Sequence, residues 1–370
     1  MSAVRAAMAA AEVDVLLLSV GADLPWLTGY EAMPLERLTM LVVPVDGTAT
    51  LVVPELEAPR VGDTGDLFKL RPWKESEYPD SIVAGLMGAA RTVAISDRTW
   101  ARFVLGLQAE RPGCRWVSGS VLTAPLRAVK DADEVAALYD AARAADRVAT
   151  QLLAGDVRLV GRTEAEVSAD ISRRLVAEGH DRVNFAIVAS GPNAASPHHE
   201  AGTRVIERGD PVVCDFGGTM VPIAEREKGG SAGYCSDITR TVVAGGSPPP
   251  GFAEIYAAVK EAQAKGVAAA TAGTPGATVD AASRRVIADA GYGEFFIHRT
   301  GHGIGVEEHE EPYLVAGNEV PLQPGNAFSI EPGVYITGLY GVRIEDIVVT
   351  TEDGPNALNV ADHELEVVEA

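Results

Sequence analysis

Four carboxylates and one histidine in this chain are spaced for a shared task. Gly209-x5-Asp215-x-Gly217 recurs as Gly325-x5-Glu331-x-Gly333, and each copy is followed on the next apolar stretch by one more acid, Asp237 and Glu345. His302 sits among glycines in Gly301-His302-Gly303-Ile304-Gly305, where the backbone can approach a site closely. Two similar halves, each offering two carboxylates, imply a pseudo-twofold site between them. Two carboxylates about 4 Å apart repel by roughly 4 kcal/mol at an effective dielectric of about 20. Four of them together therefore need protons or cations. Oxygen-rich ligation with one imidazole suits manganese, cobalt or zinc. Two ions about 3.5–4 Å apart can share carboxylates and clamp a water, lowering its pKa from about 15.7 toward 7. The chemistry these residues predict is metal-assisted hydrolysis.

The elements that position them also come in two sets. Asp131 or Asp133 can cap a long Ala-rich helix to about Leu153. Thr163 with Glu166 is a capping-box pattern for a second helix to Glu178. Apolar strands are predicted at Asn184–Ala189, Pro211–Phe216 and Asp237–Ala244. After the break at Pro248-Pro249-Pro250-Gly251 the order repeats. Helices are expected near 252–271 and 279–290, the latter with Asp280 in its first turn, and strands at 294–297, 327–331 and 341–349. Ser172-Arg173-Arg174-Leu175 and Ser283-Arg284-Arg285-Val286 echo the repeat in the helices. Upstream, strands at Val13–Ser19, Leu38–Val43, Ala49–Val53 and Arg91–Ile95 alternate with short helices near 80–90 and 99–109, as in an α/β domain. The predicted division is an N-terminal domain over 1–125 and a catalytic α+β domain over 126–370.

Composition excludes several functions. The 370 residues are 47% apolar with a formal net charge of −21, which argues against nucleic acid or an anionic membrane as partner. No apolar run is long enough for a membrane span, and no signal peptide is visible. Three cysteines, Cys114, Cys214 and Cys235, are too few for a disulfide framework and point to the cytoplasm. Cys214 and Cys235, beside the acids, read as strand fillers. On residue type alone His198, His199 and His309 read as exposed loop histidines, and His180 and His363 as surface residues. His298 stays open.

The residues now carry a resemblance. The chain resembles metallopeptidases of the pita-bread fold, in the branch of Xaa-Pro dipeptidase (prolidase) and aminopeptidase P that also includes creatinase. The matching motifs are Val-Cys-Asp215-Phe-Gly, Ser-Asp237-Ile-Thr-Arg-Thr, Gly-His302-Gly-Ile-Gly, Ile-Glu331-Pro-Gly-Val-Tyr and Val-Arg-Ile-Glu345-Asp. The match spans about 126–370. Residues 1–125, through Leu24-Pro25-Trp26-Leu27-Thr28-Gly29-Tyr30, more weakly resemble a creatinase-like N-terminal domain. The resemblance implies a curved antiparallel sheet with flanking helices. It also implies two divalent ions, manganese or cobalt with zinc as a third candidate, and a hydroxide between them. Asp237 and Glu345 would bridge both ions; Asp215 would complete one site, and His302 and Glu331 the other. Glu331 would also be the general base. His198 and His309 would line the substrate site and stabilise the tetrahedral intermediate. Thr239 and Arg343 would orient ligands, and Tyr335 would line the pocket beside Arg343.

The implied reaction is cleavage before proline in small Xaa-Pro peptides, with dipeptides preferred over the longer peptides of aminopeptidase P. A dipeptidase must neutralise its substrate's terminal carboxylate, for which Arg299 and Arg343 are candidates. A metal-free creatinase-like hydrolase and a binding-only domain are weaker readings, because those lose ligands that this chain retains. The family's habit of dimerising implies a homodimer. One departure is the stretch of about 220–233 between Asp215 and Asp237, which roughly doubles the family's usual separation. It is expected as a solvated hairpin, with a site- or interface-covering role as the alternative.

Overall fold

The computed structural model describes residues 1–62, 65–227 and 230–369. They fall into two compact units, Met1–Arg127 with Val221–Ala232, and Ala128–Met220 with Gly233–Ala370.

The first unit opens with α1 (Ser2–Ala10), β1 (Val15–Leu18), α2 (Asp23–Thr28), β2 (Met40–Pro44), β3 (Thr50–Pro54) and β4 (Lys69–Trp73). It continues through α3 (Pro79–Leu86), β5 (Thr92–Ile95), α4 (Ala101–Glu110), β6 (Arg115–Ser118) and α5 (Ser120–Ala128). One sheet runs β4-β3-β2-β1-β5-β6, with β1 parallel to β5 and antiparallel to β2. The unbroken apolar run of β1 follows from burial on both faces. Leu16 and Leu18 pack with Val4 and Met8 of α1, while Val15 and Leu17 pack with Val83, Phe103 and Leu107 from the other side.

The second unit begins with α6 (Ala132–Leu153) and α7 (Glu164–Ala177). Both capping boxes form: Asp131 with Glu134 on α6, and Thr163 with Glu166 on α7. Alanines at 141, 142, 144, 145 and 149 make the buried stripe of α6, which lets the helix lie close against strands. Those strands are β7 (Arg182–Ser190) and β8 (Pro211–Met220), then, after α8 (Ile223–Glu227) of the first unit, β9 (Tyr234–Cys235) and β10 (Ile238–Ala244). The second set is α9 (Phe252–Ala269), α10 (Gly276–Asp289), β11 (Gly301–Gly303), β12 (Glu310–Leu314) and β13 (Ala327–Ile330). Then come the hairpin β14 (Gly333–Ile336) and β15 (Tyr340–Arg343), followed by β16 (Asp346–Thr351), β17 (Gly354–Ala357) and β18 (Val367–Val368).

The two sets repeat a plan. β7-β8-β10 and β11-β13-β16 are both antiparallel meanders in space, and an antiparallel bridge from Thr239 to Glu345 joins them. The glycines that begin the repeated motif behave alike. Gly209 and Gly325 have φ of 89° and 90°, a left-handed turn that only glycine adopts cheaply. The glycines around His302 serve close approach instead: a Cβ at Gly301 would sit 1.9 Å from the Ser329 carbonyl oxygen.

Four local expectations need correction. The stretch 294–297, expected as a strand, is a 3-10 turn over 293–295 followed by irregular chain, with Phe296 buried and Ile297 exposed. The run at 341–349 is two strands, β15 and β16, interrupted at Ile344 and Glu345. α10 starts at Gly276, which places Asp280 beyond its first turn, buried and accepting from the Thr300 N–H. His180 is buried, not superficial, since Leu175 and Ser236 bind its two ring nitrogens.

The long stretch after β8 is also not a free hairpin. It holds α8 and belongs to the first unit, where the Ser231 N–H donates to the Gly29 carbonyl at 2.8 Å and Ser231 Oγ accepts from the Glu31 N–H at 2.9 Å. Lys228 and Gly229 lie outside the described residues. Among the described residues, no helix is long and apolar enough to cross a membrane.

Candidate active site

Each acid is set by a strand or a strand's edge. Asp215 lies within β8, opposite Ile187 of β7 and Thr239 of β10. Asp237 directly precedes β10, Glu331 directly follows β13, and Glu345 occupies the gap before β16. The break that separates β15 from β16 lets the Glu345 N–H reach the Thr239 carbonyl at 3.2 Å, while Thr239 Oγ1 donates to Glu345 Oε2 at 2.7 Å. The Glu331 N–H donates to the Thr300 carbonyl at 2.8 Å, and Ser329 Oγ donates to Glu331 Oε1 at 3.3 Å.

His302 faces these acids from β11. Its Nδ1 lies 3.2 Å from the Gly303 carbonyl oxygen, which only accepts, so Nδ1 carries the proton. Nε2 then presents its lone pair 3.4 Å from Glu331 Oε1 and 3.8 Å from Asp237 Oδ2. Burial, with His309 beside it, lowers the His302 pKa to about 3. The ring is neutral at pH 7, the form that ligates a metal. Ligand atoms of Asp237, His302 and Glu345 lie within 4.8 Å of one another.

The electrostatics of this cluster are unfavourable for the chain by itself. Burial pushes Asp237 and Glu345 well above the usual carboxylate range, and the neighbouring carboxylates push in the same direction. Burial likewise moves Glu331 up to about 7. Asp215 Oδ1, Asp237 Oδ1 and Glu345 Oε1 are buried without a hydrogen-bond partner. Orphaned buried oxygens on three acids, beside a neutral imidazole, are what a site for hard or borderline divalent cations presents.

A pocket of about 550 Å³ opens on the cluster. Asp215, Asp237, His302, Glu331 and Glu345 line it, together with His198, His309 and Arg343. Thus eight of the ten expected site residues share one cavity wall. His309 stacks edge-on against His302 with ring centroids 4.0 Å apart. Tyr335 and Thr239 stand behind the wall. Tyr335, expected to line the pocket, is 3% exposed, and its hydroxyl accepts from Arg343 Nη1 at 2.8 Å with His298 Nε2 also at 2.8 Å. A buried hydroxyl between two polar side chains fixes them and leaves no surface for a ligand. His298 itself lines the pocket, and burial lowers its pKa to about 4.

Glu164 was hidden in the sequence. It is wholly buried, and its carboxylate accepts from the Ser190 N–H and hydroxyl, Asn193 Nδ2, His199 Nε2 and the Gly202 N–H. Burial would raise its pKa, but these donors hold it below the usual value. Glu164 thereby pins the 190–202 loop that carries His198. Its position beside the α7 cap reads as a first-turn acid, and only the folded loop reveals the partners. Lys130 similarly pairs with Glu310 at 2.5 Å in a buried contact next to His309.

Residues 136–352 match metallopeptidase family M24, and residues 1–129 match the creatinase/prolidase N-terminal domain. This chain belongs to metallopeptidase family M24. A probable dipeptidase PepE of Mycobacterium tuberculosis is 43% identical over 367 residues, covering 98% of this chain and 94% of that one. The crystal structure of dipeptidase PepE from Mycobacterium ulcerans superposes with a TM-score of 0.88 at 44% identity, covering 100% of this chain and 97% of its own. A prolidase structure from Thermococcus sibiricus gives 0.90 at 35% identity, with 98% and 97% coverage. The family member therefore has a creatinase-type N-terminal domain and a pita-bread M24 domain, and it is a peptidase.

Glu164→Gln replaces one acceptor with a donor that faces other donors. The expected cost is about 1–3 kcal/mol of stability, read by urea unfolding. If the 190–202 loop positions His198, peptidase kcat/KM falls roughly 10- to 100-fold as well. Lost stability with unchanged kcat/KM would show that the loop and the reaction are independent.

Proposed function

We propose that this chain hydrolyses the bond preceding proline in Xaa-Pro dipeptides, with two divalent ions held by Asp215, Asp237, His302, Glu331 and Glu345. The observation that carries the reading is the set of unpartnered carboxylate oxygens on Asp215, Asp237 and Glu345, gathered beside the neutral His302 in one pocket. Manganese or cobalt suits the donor set, with zinc as the third candidate. Bound there, such ions supply Lewis acidity toward the scissile carbonyl and acidify water.

The chain's own groups supply the rest. Glu331 takes the proton of the attacking water at its carboxylate and delivers it to the departing prolyl nitrogen. His198 and His309 donate N–H groups to the oxygen that becomes negative, a contribution typically worth about 3–4 kcal/mol. Burial lowers the His309 pKa, and Arg299 adds to the effect, so this ring stays neutral at pH 7. Arg343 holds Asp215 through Nη2 at 2.6 Å, and Thr239 holds Glu345. Both act by orienting ligands. The dipeptide preference draws support from relatives described as dipeptidase PepE and prolidase. The unpaired state of Cys114, Cys214 and Cys235 supports a cytoplasmic setting.

Product analysis on Gly-Pro, Ala-Pro and a longer Xaa-Pro peptide, each with added manganese or cobalt, tests the proposal. Release of proline from the dipeptides, well above cleavage of the longer peptide, is expected. Cleavage confined to the longer peptide indicates aminopeptidase P activity, and binding without cleavage of any indicates a non-catalytic domain.

A further inference from the structure

A donor to the tetrahedral intermediate has to stay aimed, and His309 does not aim itself. Its ring lies edge-on to that of His302, centroids 4.0 Å apart, and makes no hydrogen bond to any described residue. The turn that carries it must hold it. In that turn the Gly305 N–H donates to the Glu307 carbonyl at 3.0 Å, the Cys235 N–H donates to the Gly305 carbonyl at 2.8 Å, and Glu310 opens β12 opposite Gly303. The Glu310 side chain turns inward. Its Oε1 lies 2.5 Å from Lys130 Nζ, with the two side chains 7% and 1% exposed. Gly305 leaves the room for this pair: a Cβ there would sit 2.6 Å from Glu310 Oε1 and 3.1 Å from Lys130 Cε.

Lys130 is itself moored to the strand that delivers Glu331. Its N–H donates to the Gly325 carbonyl at 2.8 Å, the Gly325 N–H to the Thr350 carbonyl at 2.8 Å, and Asn326 Nδ2 to the Ala128 carbonyl at 2.8 Å. Val129 and Asn326 also form an antiparallel bridge. Asn326 directly precedes β13, and Glu331 directly follows it. A buried ion pair stabilises a fold little more than apolar residues of the same volume would. What the charge-assisted bond adds is a fixed length and direction between two chain segments.

We propose that Lys130, acting through Glu310, is a positioning residue for His309, tying the turn that carries this ring to the strand that carries Glu331. The inference rests on the peptidase reading given above, in which His309 stabilises the tetrahedral intermediate, and adds the group that holds the ring in place. Neither Lys130 nor Glu310 lines the pocket, so the pair acts on the reaction through the turn and not by touching substrate.

The test is a double-mutant cycle on Ala-Pro hydrolysis by the manganese-loaded protein, with Lys130→Met, which keeps the stem and removes the charge, and His309→Ala. K130M is expected to lower kcat roughly 10- to 100-fold, with KM within about threefold of native and bound manganese unchanged. In an H309A background the same change costs less than about threefold, because the ring it would aim is gone. Lys130→Met combined with Glu310→Gln removes both charges. It melts above K130M and still keeps the lowered kcat, whereas a merely structural pair would recover both. Where K130M is too unstable to assay, this charge-free pair carries the same comparison in both backgrounds. Native kcat in folded K130M, equal losses in the two backgrounds, or kcat that recovers with the melting temperature overturns the positioning role and leaves the peptidase reading intact. H309A with native kcat removes His309 from the reaction and the inference with it. A native protein that does not cleave Ala-Pro overturns the peptidase reading itself.

Discussion

Asp237→Asn is expected to lower kcat by about three orders of magnitude, equivalent to about 4 kcal/mol of transition-state stabilisation, and to leave the purified protein short of metal. The substitution is nearly isosteric at a position only 4% exposed. It removes a charge without removing volume. Asp237 Oδ1 has no partner in the chain, and Oδ2 lies 3.8 Å from His302 Nε2, so an amide would face the cation site with less charge and a wrongly placed donor.

The metal-free proteins should diverge in the opposite direction. Burial and neighbouring acids raise the Asp237 pKa in the fold. The protonated acid therefore supports the fold below its unfolded value, about 3.9, and that support is lost as pH rises through the folded pKa. Asparagine carries no such titration. At pH 8, metal-free D237N is expected to melt above the metal-free native protein, while added manganese raises the native melting temperature more. Kinetics, elemental analysis and melting curves check the three parts. Near-native turnover in D237N removes Asp237 from the ligand set.

Arg240→Met is expected to cost about 3–5 kcal/mol of stability, because it takes the guanidinium from the buried Asp346, which keeps Gln263 and His363, and removes a donor from four carbonyls. Arg240 is wholly buried and forks across the join between the two halves. Nη2 donates to Asp346 Oδ1 at 2.8 Å and to the Ala361 carbonyl at 2.7 Å, Nη1 to the carbonyls of Thr239 and Glu345, and Nε to that of Asp362. Lysine lacks this fork, so Arg240→Lys should recover only part of the loss. Burial alone would raise the Asp346 pKa; Arg240 and His363 instead lower it to about 2. The contribution of this pair is present above the unfolded carboxyl value and fades as pH falls toward 2. Urea unfolding at pH 7 and pH 3 should show a smaller native–variant difference at the lower pH. A loss under about 1 kcal/mol at pH 7 would contradict the role given to the pair.

What could be read from sequence was local or repeated. The two capping boxes involve residues three apart, so their letters suffice. The four acids of the site were legible because each half repeats the other, down to Gly209 and Gly325 in the same left-handed turn. Features that depend on distant partners were not legible. Tyr340–Thr351 is an almost continuous β-forming run, and nothing local announces the break at Glu345. The break exists because Thr239 captures Glu345 across the molecule's repeat. His180 looks superficial until Ser236 arrives from the link between β9 and β10. Glu164 passes for a helix-start acid until the 190–202 loop folds over it. Arg299 and Arg343 could not be told apart in sequence either, since only packing commits Arg343 to Asp215 and Tyr335 and sets Arg299 over the Tyr313 ring.

Activity is expected to depend on divalent ions held by the five-residue cluster. Proline release from Ala-Pro should be followed in the purified protein, after exhaustive chelation, and after return of manganese or cobalt. Activity should disappear on chelation and return as about two ions per chain are restored. Full activity in chelated protein, shown free of metal by elemental analysis, would contradict it.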